Sequence, residues 1–301
     1  MTASIDSNLQ ELGRERPEWE PWLAVIKEVL SETTDAQWDA FVPDATGTPE
    51  NKVPLLAKAT LALETTVLRR WTERLVRTAC QSGTPKMAGL KPALQAQSDI
   101  LALFKASLCQ DGARLNEMAA AVGADVEAFQ AVAALIPVPF LHACNRRWAR
   151  SIPQGWTEGY CPVCGAWPAL AEVRGIERIR YFRCGRCAGE WQTHGLTCPY
   201  CGMTDHNELV SMVPEKGGTS RVIDACKRCL GYVKTFTVLQ GSPAAKVILD
   251  DLASVDLDVA ALERGYRRPQ GPGYVLDITL VDKAGASDRL FSWRRIGGAN
   301  R

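Results

Sequence analysis

The stretch CPVCGAWPALAEVRGIERIRYFRCGRC, residues 161–187, decides the fold of the second half of this 301-residue chain. Two Cys-x-x-Cys pairs bound it, and a second stretch bounded in the same way follows at residues 198–229. The four pairs are Cys161/Cys164, Cys184/Cys187, Cys198/Cys201 and Cys226/Cys229. The chain opens with a polar segment that lacks an apolar signal region, so we expect the reducing cytoplasm. There, paired cysteines at this spacing predict thiolate metal sites rather than disulfides.

Each stretch opens with Cys-Pro-x-Cys-Gly, and this pentapeptide predicts a metal-binding turn. The proline fixes φ after the first ligand, and the glycine after the second ligand can adopt the positive φ that closes the turn. Backbone N–H groups of such a turn point at the first sulfur and stabilise its thiolate. We therefore expect all eight cysteines to be metal ligands.

Between the cysteine pairs, the pattern predicts β-hairpins. ALAEV and RIRYFR flank a turn at Gly175, ELVSMV and SRVIDA flank EKGG, and a further β-prone run follows each second pair. The order turn, hairpin, turn, strand is that of a rubredoxin-like or zinc-ribbon module, here present twice in series. Modules of about 40 residues bury too little surface to fold by a core alone, so bound metal should supply the missing free energy.

The spacing leaves the pairing and the metal open. In a sequential scheme each copy forms its own four-cysteine site, whereas a cross-braced scheme joins the first pair with the third and the second with the fourth. The repeat favours the sequential scheme, because each copy then contains a complete site. Four thiolates suit iron and zinc alike, so the donor set does not choose between them.

Charge and hydropathy limit the classes of partner that we expect the chain to bind. Between Trp156 and Thr235 there are ten Lys/Arg and eight Asp/Glu, and with eight thiolates and two divalent ions the net charge of the modules becomes about −2. A nucleic-acid-binding ribbon would be clearly positive, so we expect a protein partner and no nucleic acid. The longest apolar run, residues 131–141, is far shorter than the roughly 20 residues that a membrane-spanning helix needs, so we expect no membrane insertion.

The remainder of the chain predicts an α+β fold. Helical spacing is clear at Leu63, Val67, Trp71 and Leu75, and Thr33 or Thr34 is expected to cap a helix in TTDAQWDAF. We divide the chain into an all-α helical domain (1–155), a first four-cysteine module (156–195), a second four-cysteine module (196–242), one long C-terminal helix (243–266) and a β-hairpin tail (267–301).

The remaining cysteines and the histidines are not expected to be ligands or nucleophiles. Cys80, Cys109 and Cys144 stand alone in helical context and should be buried as small hydrophobic side chains. His142 lies two positions from Cys144, which places the two on different helix faces. His194 and His206 flank the third pair, where eight cysteines already complete two tetrahedra.

Clustered charges are interpreted as solvated helix faces. The acidic cluster is Asp250, Asp251 and Glu263, and the basic clusters are Arg69, Arg70, Arg74 and Arg146, Arg147, Arg150. For the arginines, an acidic partner peptide is the alternative. We find no phosphate loop, no zinc-protease motif and no nucleophile elbow, so we do not expect an enzyme.

The chain resembles the formate dehydrogenase accessory protein family, FdhE. The resemblance depends on CPVCGAWP (161–168), RYFRCGRCAGEW (180–191), the CPYCG and CKRC pairs, and DDLASVDLDVAALERGYRR (250–268). It implies a cytoplasmic accessory factor that contacts the formate dehydrogenase catalytic subunit during maturation, with rubredoxin-like iron sites at the eight cysteines. The family pattern usually closes soon after the GY with an Asn-Pro-containing end, whereas here PQGPGYVLDITLVDKAGASDRLFSW continues.

These observations define a main hypothesis and its rivals. The main one is a non-enzymatic maturation factor with iron, or alternatively zinc, at both sites. A rubredoxin-type electron carrier is the first alternative, followed by a nucleic-acid-binding zinc ribbon and a thiol-disulfide oxidoreductase. The oxidoreductase is disfavoured because redox Cys-x-x-Cys motifs usually occur singly at a helix N-terminus.

Overall fold

The α+β fold is confirmed by a computed structural model of the chain. The structure describes residues 2–45, 52–82, 84–90, 99–152, 155–193, 195–214 and 218–283. Helices dominate the first half and a sheet dominates the second, where Cys184 and Cys226 end two strands and the other six paired cysteines lie in or next to turns.

Eight α-helices are described in the first half. They are α1 (Thr2–Glu15), α2 (Glu20–Glu32), α3 (Thr65–Ser82), α4 (Pro85–Ala88), α5 (Ile100–Cys109), α6 (Gly112–Ala121), α7 (Val126–Ala133) and α8 (Val138–Trp148). Asp99, Asp111 and Asp125 begin α5, α6 and α7, because each carboxylate accepts a hydrogen bond from the backbone N–H three residues further on.

The predicted cap at Thr33 or Thr34 is wrong. Asp35 caps the short 3-10 helix Ala36–Phe41 by accepting from the Gln37 N–H at 2.8 Å. The two threonine hydroxyls instead donate to carbonyls in the last turn of α2. An aspartate accepts such a bond as well as threonine does, and it is the residue directly before the helix.

Both four-cysteine modules contribute to one six-stranded sheet. Its strands are β2 (Pro168–Arg174), β3 (Ile179–Cys184), β4 (Glu190–Thr193), β5 (Leu209–Met212), β6 (Arg221–Cys226) and β7 (Tyr232–Val238), in the order β4-β3-β2-β7-β6-β5. Neighbouring strands are antiparallel except β2 and β7, which join the modules in parallel. The two modules therefore share one sheet. The domain boundaries at 155, 195, 242 and 266 stay predictions.

The single long C-terminal helix is instead two helices, α9 (Ala244–Leu252) and α10 (Val255–Glu263). The break lies at Ser254, whose buried hydroxyl donates to the Asp250 carbonyl at 2.7 Å. A serine bonded back in this way competes with the helical hydrogen bonds and bends the helix. The two helices cover one face of the sheet, where Val247, Leu257 and Ala261 pack against the strands.

The chain beyond α10 returns to the helical half. Strand β8 (Thr279–Asp282) pairs in parallel with β1 (Thr60–Leu63), a short strand within the region expected to be all-α. The second strand of the predicted hairpin falls in residues 284–301, outside the described residues.

One continuous core joins the helical half to the first module, because Phe104, Phe140 and Cys144 belong to the same buried cluster as Cys161 and Cys184. The stretch Val126–Trp148 is long and apolar enough to cross a membrane by composition, but the chain turns at Pro137 between α7 and α8, and 67% of its most apolar window is buried. Its apolar side chains therefore belong to this core.

Candidate metal centres

The eight paired cysteines form two compact groups, and the grouping is sequential. Within the described residues, the ligand atoms of each group all lie within 4.8 Å of one another. The groups are Cys161, Cys164, Cys184, Cys187 and Cys198, Cys201, Cys226, Cys229. Each module therefore contains its own complete set of four thiols, and the cross-braced scheme is excluded.

The sulfur positions fit a tetrahedral metal ion. Sγ–Sγ distances are 3.4 Å for Cys161–Cys187 and 3.6 Å for Cys164–Cys184. In the second group, Cys198–Cys229 and Cys201–Cys226 are 3.6 and 3.7 Å apart. An ion about 2.3 Å from each of four sulfurs requires sulfurs about 3.8 Å apart, so both groups could hold zinc or iron with little movement.

Residues in the left-handed conformation close the cysteine turns, as expected for Gly165 and Gly202. Gly165 and Gly202 both have φ of 71°, and each N–H donates to the carbonyl of the first cysteine of its pair. The second pair of each module closes in the same way at Ala188 and Leu230, with φ of 58° and 57°. The sequence had no signal for these two, because L-residues other than asparagine and aspartate rarely adopt this conformation.

Backbone N–H groups surround the sulfurs of the first group. Val163 donates to Cys161 Sγ at 3.4 Å, Arg186 to Cys184 Sγ at 3.4 Å, and Gly189 to Cys187 Sγ at 3.3 Å. Hydrogen bonds of this kind stabilise a thiolate and set its direction, as the environment of a metal ligand should.

Electrostatics also favour a cation at the first group. Burial raises the pKa of the Cys161 and Cys187 thiols far above the usual range, whereas hydrogen bonds from the neighbouring thiols lower the pKa of Cys184. Without a counter-ion, four thiols in this apolar space cannot all ionise. A divalent ion would compensate the thiolate charges that burial opposes.

The two groups differ in their surroundings. All four cysteines of the first group are at most 1% exposed, whereas Cys201 and Cys229 of the second are exposed. The helical half encloses the first group: the Leu55 N–H donates to the Pro162 carbonyl at 2.8 Å, and Arg186 donates to the carbonyls of Ser107 and Leu108. One site is therefore enclosed and the other reaches the surface.

The unpaired cysteines and the described histidines, His142 and His206, lie outside both groups, but Cys109 is only partly buried rather than buried as expected. Cys144 is fully buried beside the first group, and burial raises its pKa, so its thiol is not an activated nucleophile. Burial, and then Arg146, lower the pKa of the neighbouring His142 to about 4. His206 is 90% exposed, and His194 falls outside the described residues.

The prediction of a solvated acidic face is wrong for Asp250 and Asp251. Asp250 is buried and pairs with Lys246, while Asp251 pairs with Lys234 and Arg268. Lys234 lies on β7 with no exposed side-chain surface, 2.7 Å from Asp251 and 2.8 Å from Asp258. The acidic motif thus attaches α9 and α10 to the second module, and the sequence showed no sign that Lys234 is buried.

The arginines Arg74 and Arg146 are exposed, as expected of a solvated face, and each also has intramolecular partners. Arg74 pairs with Glu28 and Glu32, and Arg146 pairs with Asp39 at 3.0 Å. These contacts tie α2 and the short 3-10 helix to α3 and α8.

The comparisons with known proteins agree with this architecture. Residues 196–276 match the family model described as "FdhE, C-terminal domain". A "Protein FdhE homolog" of Aquifex aeolicus is 27% identical over 64% of each chain. One of Pseudomonas aeruginosa is 32% identical over 44% of this chain and 47% of the relative, and "Protein FdhE" of Escherichia coli is 30% identical over 36% and 35%. The matches thus span between about a third and two thirds of these relatives.

The fold matches over a greater length. A structure titled "The crystal structure of the FdhE protein from Pseudomonas aeruginosa" aligns with 92% of this chain and 95% of its own, with a TM-score of 0.59 and 20% sequence identity. Residues 196–276 are therefore similar to the FdhE C-terminal domain, and the whole fold is similar to that of the Pseudomonas aeruginosa FdhE protein.

Proposed function

We propose that the protein is a cytoplasmic, non-enzymatic accessory factor for formate dehydrogenase that binds the catalytic subunit through a fold organised by two four-cysteine metal sites. The observation that carries this proposal is the pair of preorganised four-thiol groups in a chain related to FdhE. The resemblance to FdhE indicates the client protein, the formate dehydrogenase catalytic subunit. The four-thiol geometry explains how bound metal would hold the binding surface in a fixed shape.

The metal is the structural determinant of each module in this proposal. All eight cysteines are ligands, and each ion links two turns at one end of a three-stranded unit. Loss of an ion would release both turns of its module, because thiols without metal do not hold them together. Loss of the first ion would also disturb the helical half, which packs directly on that site.

We assign iron to both sites, with zinc as the alternative. Protein prepared without oxygen should contain two equivalents of metal and show the thiolate-to-iron absorption of rubredoxin-type centres. Two equivalents of zinc in a colourless protein would contradict the iron assignment and leave the structural role intact.

A cellular experiment tests the function. In a strain that lacks the chain, the variant Cys161→Ala/Cys164→Ala should fail to restore formate dehydrogenase activity. Cys109→Ala serves as the control, because this half-buried thiol lies outside both groups and its loss should leave the activity unchanged. Full activity with the double variant would contradict the proposal.

An electron carrier is the second candidate, and the exposure of Cys201 and Cys229 favours it. A rubredoxin-type iron near the surface can exchange one electron with a partner. This function requires a reversible change in the visible spectrum and rapid reduction by the partner enzyme. A zinc-substituted chain that still restores formate dehydrogenase activity would remove it.

A further inference from the structure

A cleft of about 590 Å³ lies on the sheet face opposite α9 and α10. Residues such as Val173, Val222 and Thr235 line it, and they alternate along their strands with side chains that pack against the two helices. Strands of both modules contribute: β2, β3 and β4 from the first, and β5, β6 and β7 from the second. The volume is within the range of pockets that bind a ligand or a short peptide segment.

Buried polar side chains form the floor of this cleft. Arg180 on β3 is 7% exposed, and its guanidinium donates to the Asp224 carboxylate on β6 at 2.6 Å and to the Thr235 hydroxyl on β7. Ser211 on β5 also donates to Asp224, at 2.6 Å. The network spans both modules, so this floor exists only when both are folded side by side.

Among the described residues, the cleft has a polar rim and an excess of positive charge, because two arginines, Arg178 and Arg180, and one carboxylate, Asp224, line it. Arg178 is exposed and forms no ion pair with any described residue, while Arg180 is already paired with Asp224. Rim side chains that can hydrogen-bond are Gln192, Thr193, Thr219 and Thr237. Such a lining favours a carboxylate together with the backbone amides of an extended chain.

Apolar side chains surround the same end of the sheet, away from the cysteines. Ile176 is 99% exposed in the turn between β2 and β3, and Leu239 is 88% exposed just after β7. Val213, which follows β5, is 52% exposed. Large apolar side chains grouped around a polar cleft are typical of protein-binding surfaces.

We propose that this cleft binds an extended segment of the client polypeptide that carries a carboxylate side chain. The inference rests on the proposed function, which makes the client the formate dehydrogenase catalytic subunit. Since both modules build the cleft and both depend on metal, client binding requires metal at both sites. Metal loading is thereby coupled to recognition although the sulfurs lie at the other end of the sheet.

Charge reversal at the rim tests the inference. The metal-loaded full chain is immobilised, and binding of the purified catalytic subunit is measured for the wild type, Arg178→Glu and Ile176→Asp. Both side chains are exposed, so the variants should fold normally, which circular dichroism and metal content can verify. Each change should weaken binding at least tenfold. Arg77→Glu, at an exposed arginine of α3 outside the basic clusters named above, is the matched control and should bind within twofold of the wild type.

Amide exchange of the complex provides an independent readout. The client should slow exchange at residues 176–180 and 235–239. The inference that the cleft binds the client would be overturned if neither rim variant weakened binding, or if the client protected only other surfaces from exchange. Either result would leave the proposed function in place. If the wild-type chain does not bind the catalytic subunit at all, the proposed function fails and the cleft inference fails with it.

Discussion

Replacement of Arg180 by methionine should destabilise the chain strongly, because it leaves a buried carboxylate without its cation. Arg180 and Asp224 are 7% and 10% exposed and lie 2.6 Å apart. At an effective dielectric constant of about 20 and a charge separation of about 4 Å, their attraction is about 4 kcal/mol. Breaking a buried pair by removing one partner typically costs about 3–5 kcal/mol. We expect the free energy of unfolding to fall by that amount in urea titrations of the metal-loaded protein, followed by tryptophan fluorescence.

The double variant Arg180→Met/Asp224→Val separates the charge effect from lost packing. It removes both charges and should recover most of the loss, since apolar residues can replace a buried pair with little or no cost. Arg114→Met is the control for a surface pair: Arg114 and Glu117 are 53% and 66% exposed, so the change should cost less than about 1 kcal/mol. A loss below about 1 kcal/mol for Arg180→Met, or an equal loss in the double variant, would refute the reasoning.

Three further predictions concern the metal sites and the C-terminal helices. In the zinc-loaded chain, a chelator should remove metal in two phases of equal amplitude, with the exposed second site at least tenfold faster; a single phase would contradict the difference in burial. The variant Gly165→Ala should lower the free energy of unfolding more than Gly202→Ala in thermal unfolding, although both glycines have φ of 71°. A Cβ at position 165 would lie 2.9 Å from a backbone oxygen, whereas one at position 202 would meet nothing within 4 Å. Equal losses of roughly 1–2 kcal/mol, the cost of left-handed strain alone, would contradict the clash. Burial opposes ionisation of the Asp251 carboxyl, but Arg268 and Lys234 lower its pKa overall. The ionised carboxylate therefore stabilises the fold above the unfolded pKa of about 3.9, and this stabilisation is lost as pH falls through the lower folded pKa. The variant Asp251→Asn should lose less stability than the wild type across that acid range, and parallel pH profiles of the two proteins would contradict the assignment.

The sequence predicted the local architecture of the modules well. The Cys-Pro-x-Cys-Gly turns, the strands between them and the positive φ of Gly165 and Gly202 all appear, because proline, glycine and alternating β-prone residues act over a few neighbouring positions. The sequential grouping of the cysteines also followed from the repeat, since a complete site within about 27–32 residues needs only one hairpin.

Charged residues were where sequence reasoning failed. Asp250 and Asp251 looked like a solvated face because their helical spacing places them opposite the apolar residues. In the structure Asp251 contacts Lys234, a buried cation on strand β7, whereas Asp250 is buried beside Lys246 of its own helix. Spacing within a helix reveals which residues share a face, but it does not reveal what the face contacts.

The sequence by itself determined the eight paired cysteines, their division into two repeated modules and the helical character of the first half, because each of these depends on local spacing and residue type. Only the tertiary structure decided that β2 and β7 join the modules into one sheet, that the first site is enclosed while the second is exposed, and that Arg180 reaches Asp224 across the junction. Burial and ion pairing depend on elements that meet from distant parts of the chain, and a pattern of neighbouring residues does not specify those encounters.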